Sequence, residues 1–486
     1  MTHHSMQICA WSGLLSSLCI AAPALANTSS PFNPPEEELG VYVVNSGSGL
    51  DTGCTFRSGG PLIISLEVPA IVNPNAIGSD GYLKDAPALV SNGVLGAQAV
   101  MRFPVYDIDS GANVSGIQPE VDKISFNGTF KKNLSGVNNQ WTDDAIIIPI
   151  EEVKFGQTNE IRIDIDTANT SESWCMAVDW VSLEFDVSAP YVLAHGINAD
   201  ASSWDAGSAP GVLETLDNTG VLYTRFSVTA NGRSAGNAAQ LEQNIQAFLD
   251  SIKSKKVHVI AHSKGGLDTQ ELKARAPSFE ILSLSTLSTP HLGSVAADLS
   301  IIQKAEVDNR VNQGNDPNGF AATYINSWTF GQGPQLPGLR DLTTGRASEA
   351  ISLNLRGNIG KTFTIGANAD ANGNNDLESS ESAGLFPGVA HYAAERAWRV
   401  MRDFSSAPIL QTQTTPCFFC LGGEKTTLIY QTIVAATPQD NDIVVTTNSA
   451  NPTSYGTSLG NSLHNHSTVK NAVNVDQFLQ KTIPLR

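Results

Sequence analysis

Basic residues are scarce. Lysine and arginine total 29 against 47 aspartates and glutamates, a net charge of −18 over 486 residues. A surface of that sign repels phosphate backbones and has no cationic footprint, which excludes nucleic acid as a partner. Long apolar runs are lacking too. The only candidate, Ile8 to Ala22, is shorter than the ~20 residues a membrane-spanning helix needs, so no transmembrane segment is expected. The run leads into "PALAN", with small residues at Ala24 and Ala26, the pattern of a secretory signal cleaved after Ala26. The lysine or arginine usual before such a run is absent, with only His3 and His4 there. The expected location is extracellular or periplasmic. No internal repeat is present.

Cysteine is sparse. Cys9 and Cys19 leave with residues 1–26, and Cys54, Cys175, Cys417 and Cys420 remain. In an exported protein four cysteines imply disulfides, with three possible pairings. Cys54–Cys175 and Cys417–Cys420 keep each bridge within one domain. Zinc at "CFFC" is the competing reading, and it lacks a second ligand pair at useful spacing.

A length of 486 residues points to two domains, and the hydrophobic period divides the chain. From Leu39 to Val187 the period is two, as in "EIRIDID" and "VSLEFDV", with "GVYVVN", "PLIISLEV", "DKISFNG" and "AIIIPI" as further short strands. Polar turns separate them and no helical period intervenes. Residues 27–187 are expected to form an all-β, jelly-roll-like sandwich. After Pro190, strands alternate with helices: "YVLAHG", "GVLYTRFSV", a helix from Asn237 with Asn237 and Gln240 able to cap it, "KVHVIA", a helix in "GGLDTQELKAR", then "ILSLSTL". That order predicts a doubly wound, mostly parallel sheet with helices on both faces over residues 188–486, an α/β class.

"VHVIAHSKGGLD" holds the chemistry. A strand runs into Ser263 with Ala261 two before and Gly265 two after. A serine on a sharp strand-to-helix turn needs small neighbours, the nucleophile-elbow pattern with alanine in place of the first glycine. The helix that follows offers free N–H groups to a developing oxyanion.

Other stretches agree. "LAHGINADASSW" (Leu193–Trp204) resembles the His-Gly segment after the third strand of bacterial lipases, "TLSTPHLGS" (Thr286–Ser294) their Thr-Pro-His-x-Gly-Ser segment, and "LRDLTT" (Leu339–Thr344) a further family stretch. The chain from about Pro190 onward thus resembles a secreted bacterial lipase/esterase of the α/β-hydrolase superfamily. The resemblance implies oxyanion donors at the backbone of Ile197 and Lys264. It implies an acid in "QDNDIVVTTNSA", similar to the family's Asn-Asp-Gly-x-Val, at Asp442 with Asp440 as fallback. Ile443 stands where the family has glycine. The base is expected in "LHNHSTV" at His466, with His464 as competitor. The order Ser263, Asp442, His466 is that of a hydrolase triad. His262 is expected to support, Asp268 to pair in an ion pair, and His195 and His291 to be scaffold.

"DANGNNDLESSE" matches a twelve-residue calcium loop, with oxygens from Asp370, Asn372, Asn374, the Asp376 carbonyl, Glu378 and Glu381. Asn375 replaces the sixth-position glycine and tolerates the left-handed backbone needed there. A strand precedes the loop, so the expectation is a lone structural Ca2+ clamp.

The expected function is therefore a secreted carboxylic ester hydrolase acting on a lipid, small or polymeric ester. A lid is expected over Val295–Leu336. An acyltransferase shares the acyl-enzyme. A non-catalytic carbohydrate- or surface-binding protein is the alternative outside enzymes, with Trp174 and Trp180 of the sandwich as stacking candidates.

Overall fold

The computed structural model describes residues 30–47, 49–50, 53–111, 118–169, 174–298, 337–385, 391–416, 424–434 and 438–486. The signal segment, Cys417, Cys420 and all of the expected lid beyond residue 298 lie outside them.

The first ten strands are β1 (Val41–Val44), β2 (Thr55–Phe56), β3 (Leu62–Val68), β4 (Leu95–Tyr106), β5 (Lys123–Phe126), β6 (Thr129–Asn133), β7 (Trp141–Pro149), β8 (Gln157–Asp164), β9 (Cys175–Val178) and β10 (Val181–Val187). They form two antiparallel sheets, β1-β10-β4-β9-β2 with β7 also on β4, and β3-β8-β5-β6. Alternation drives this. Leu62, Ile64, Leu66 and Val68 turn inward on β3, and Ile161 and Ile163 do so on β8. One short helix, α1 (Ala86–Ser91), interrupts the strands where none was expected. Asp85 caps it through the Ala88 N–H. Cys54 and Cys175 are bridged, with Cα atoms 5.4 Å apart. Trp180 is core, and its Nε1 donates to the Phe32 carbonyl.

A six-stranded parallel sheet follows: β11 (Tyr191–Ala194), β12 (Tyr223–Phe226), β13 (Lys256–His262), β14 (Glu280–Leu287), β15 (Thr362–Ala367) and, after an antiparallel hairpin of β16 (Phe404–Pro416) and β17 (Glu424–Val434), β18 (Thr457–Ser462). Its order is β12-β11-β13-β14-β15-β18. The inner strands are largely buried because both faces are covered. All of β11 and Val257 to His262 of β13 are buried. Between them run α2 (Val212–Thr219), α3 (Ser234–Ser251), α4 (Lys264–Ala274), α5 (Thr344–Ser352), α6 (His391–Asp403), α7 (Thr447–Ala450) and α8 (Ala472–Thr482). Helix α4 packs on β13, β14 and β11, α3 packs on α4, and α8 on α2.

Helix α3 begins three residues earlier than expected, and Asn237 does not cap it. The Ser234 N–H donates to the Asp341 carboxylate at 2.6 Å, and Arg233 pairs with the same group. A distant acid thus takes the capping role. Asn237 instead turns inward, its Nδ2 on Asp268 at 2.9 Å. Among the described residues no helix is long and apolar enough to cross a membrane.

Candidate active site

Ser263 sits between β13 and α4 with φ 54° and ψ −128°. That backbone is strained for a non-glycine residue and persists because its surroundings fix it. The Ser263 N–H donates to the Leu287 carbonyl, and the Thr289 hydroxyl donates to the Ser263 carbonyl at 2.8 Å. Small neighbours are obligatory. A Cβ on Gly265 would lie 2.6 Å from the carbonyl oxygens of Ala194 and His195, and one on Gly196 would lie 2.9 Å from Ser263 Cβ. These are the close approaches that the elbow pattern anticipates.

Three side chains from distant segments meet here. His466 Nε2 is 2.9 Å from Ser263 Oγ, and His466 Nδ1 is 2.8 Å from Asp442 Oδ2. A carboxylate only accepts, so the proton sits on Nδ1 and leaves Nε2 to accept from the serine. Asp442 is itself fixed. Its Oδ1 accepts the Val444 and Val445 N–H groups, and its carbonyl accepts the His466 N–H at 3.0 Å. All three residues are buried. The two alternatives fall elsewhere: His464 Nδ1 bonds the Ser462 hydroxyl, and Asp440 is exposed, its carbonyl accepting from Thr447.

Ile443, the departure from the family glycine, has φ 86° and no exposure. The backbone that favours glycine is therefore present and is carried by a β-branched residue. What holds it is a small core of Ile443, Leu377, Leu385, Ala394 and Trp398.

Ile197 and Lys264 flank the serine. Neither backbone N–H donates to a protein acceptor among the described residues, and Lys264 opens α4, where N–H groups have no helical partner. The Lys264 side chain turns away into a buried ion pair with Asp268 at 2.6 Å. His262 Nε2 donates to the His466 carbonyl at 2.7 Å, and the two rings lie 4.9 Å apart. Burial, then the nearby Lys470 and His466, hold the His262 imidazole well below its ordinary value, so it is neutral. His195 is scaffold, its Nδ1 on the Gly196 carbonyl and its Nε2 accepting from Val228. His291 stacks on Tyr455, and burial takes it down to about 3.

The Asp370–Glu381 loop folds on its own oxygens. The Asp370 carboxylate accepts the Gly373, Asn374 and Asn375 N–H groups. Asn372 accepts from Asn374, and Asn374 from Asp376. Glu381 reaches back to the Ala371 and Glu378 N–H groups. Asn375 has φ 63°, the left-handed backbone expected of it. The Asp376 side chain pairs with Arg399 at 2.9 Å. The Glu381 neighbour, then Asn372 and Asn374, hold the Glu378 carboxylate down to about 2, while burial and Glu378 push Glu381 up. An all-oxygen donor set suits a hard cation. Its carboxylate oxygens do not lie within 4.8 Å of one another as a group of three, so an ion would require the carboxylates to draw closer together. Asn465, beside His466, donates to the Glu381 and Ala383 carbonyls at 3.0 and 2.8 Å.

Sequence reasoning missed Thr289, Asp341, Asn465 and Lys470. Thr289, Asp341 and Asn465 lie inside stretches quoted above, which was the available signal.

Strand order, elbow and the Ser-His-Asp line together define the α/β-hydrolase class of fold. No protein-family model matches the sequence. Triacylglycerol lipase 2 of Saccharomyces cerevisiae is 36% identical over 94 residues, 18% of this chain and 29% of that one. Among solved structures, the mature form of a Bacillus licheniformis lipase is similar at TM-score 0.40 and 18% identity, covering 61% of this chain and 92% of that one. A metagenomic carboxyl esterase gives 0.35 and 13%, covering 60% and 76%. The chain spans less than a third of the length of the curated relatives it matches. Its relatives by sequence and by structure include lipases and esterases.

Proposed function

We propose that the protein is a secreted hydrolase of carboxylic esters working through an acyl-enzyme on Ser263. The observation that carries this reading is the hydrogen-bonded line from Asp442 through His466 to Ser263. Ser263 Oγ attacks the ester carbonyl as its proton passes to His466 Nε2. Asp442 holds the imidazole's tautomer and stabilises the imidazolium. The tetrahedral oxyanion rests on the N–H groups of Ile197 and Lys264. Collapse breaks the bond to the alcohol, which leaves with the proton from His466. Water then attacks the acyl-serine by the same route, returning the proton to Ser263 and releasing the acid.

Secretion is supported by the apolar leader and by the Cys54–Cys175 bridge, which belongs to an oxidising compartment. We also assign Ca2+ to the Asp370–Glu381 loop as a structural clamp. Asp370, Asn372, Asn374, the Asp376 carbonyl, Glu378 and Glu381 would hold it, and its charge would relieve the crowding of Glu378 and Glu381.

The test is p-nitrophenol release from the butyrate and palmitate esters by the wild type beside Ser263→Ala. Release that disappears in the variant is expected, and the ratio of the two esters ranks short against long acyl chains. Equal release from both proteins sinks the reading.

A further inference from the structure

Lys470 lies four residues past His466 and is only 5% exposed. Among the described residues its ammonium has no carboxylate partner. Its Nζ donates to the Ser203 carbonyl at 2.7 Å and stands 5.8 Å from the centre of the Trp204 ring, which is wholly buried. Burial pulls this ammonium down to about 8. A lone cation out of water is costly, and packing alone would favour an apolar residue there.

The two segments it joins have different origins. Ser203 belongs to the short helical turn Ala201–Trp204, capped by Asp200, which begins four residues after Ile197 in the segment that leaves β11. Lys470 belongs to the loop that leaves β18, presents His466 and enters α8. Strands β11 and β18 are not neighbours, since β13, β14 and β15 lie between them. No shared ladder sets the spacing of these two loops, and the Nζ–carbonyl bond ties them directly.

We infer that Lys470 is a positioning residue that, through Ser203, keeps the loop of Ile197 in register with the loop of His466. The inference rests on the acyl-enzyme reading above. In that mechanism one loop brings the oxyanion donor to Ser263 and the other brings the base. A displacement of about 1 Å between such groups costs on the order of 100-fold in rate. The cost falls on the transition state, because the ester's bound ground state does not use both loops' reacting groups at once.

The experiment compares the full-length wild type with Lys470→Met, Lys470→Arg and Ser263→Ala on p-nitrophenyl butyrate, with thermal midpoints measured alongside. Lys470→Met is expected to lower kcat about 10- to 100-fold with KM changed less than about twofold. Lys470→Arg, which still donates to Ser203, is expected to recover most of the loss. A kcat within twofold of wild type for Lys470→Met overturns the inference, as does an equal loss in the Met and Arg variants. Should Lys470→Met fail to fold, Lys470→Gln, too short to span to Ser203, takes its place under the same criteria. If Ser263→Ala releases p-nitrophenol as the wild type does, the acyl-enzyme reading has failed and this inference falls with it. A dead Ser263→Ala beside an active Lys470→Met defeats the positioning role alone.

Discussion

Ile443 offers a test of the site's backbone that needs no substrate. Its φ of 86° costs a branched residue about 1–2 kcal/mol, while glycine adopts it freely. The buried side chain offsets that cost by packing with Leu377 and Trp398. Two truncations separate the terms. Ile443→Ala loses the packing, worth about 2–5 kcal/mol, and retains most of the backbone cost. Ile443→Gly loses the same packing and releases the backbone. At an ordinary buried position glycine is about 0.5–1 kcal/mol worse than alanine. Here the order inverts, and the glycine variant is expected to be the more stable by about 1 kcal/mol. Urea unfolding followed by tryptophan fluorescence reads the difference, since Trp398 lies in the same cluster. An alanine variant as stable as the glycine variant, or more so, refutes the argument.

Asp442→Asn should leave the fold intact and lower kcat by about 10³- to 10⁴-fold, because the amide cannot hold the tautomer that His466 needs; a loss below tenfold in steady-state assays would exclude Asp442 as the acid. Calcium at 100 times its Kd should stabilise the wild type by about 2.7 kcal/mol and Glu381→Gln far less; a thermal midpoint unmoved by calcium or chelator in the wild type removes the clamp. Burial, then the charge of Asp122, pushes Glu120 up to about 9, so the folded protein binds its proton more tightly than the unfolded chain does. That stabilisation is complete below the ordinary carboxylate value and is lost as pH rises toward 9. Glu120→Gln should therefore narrow the gap between midpoints at pH 5.5 and pH 8, and an unchanged gap in the variant would contradict the shift.

Much of the architecture was legible where local pattern and final environment agree. Val181–Val187 alternates and is a strand over those same residues, and the apolar run before Ser263 is the buried β13. The site was legible because an elbow demands small residues at fixed offsets, a steric requirement written in adjacent positions. Strand β4 was not. Gly96 and Pro104 lie within it, and proline usually argues against an inner strand, yet β4 pairs with β10, β9 and β7. The start of α3 was also hidden, since its capping acid, Asp341, lies 107 residues away. Lys470 and Asn465 act across loops that no periodicity connects. The left-handed backbone at Ile443 was visible only as a mismatch with a glycine, whose meaning came from φ.

The placement of His466 has a consequence for the order in which the protein is made. Ser263 and His466 are 203 residues apart, and His466 follows β18, the edge strand that docks on β15. A nascent chain can complete the elbow, with Leu287 and Thr289 already bracing it, while its serine still has no proton acceptor. If the proposed triad acts, reactivity then arrives with the closing strand rather than with Ser263. On the proposed mechanism, a polypeptide halted anywhere in that interval is harmless to the esters of the cell that makes it.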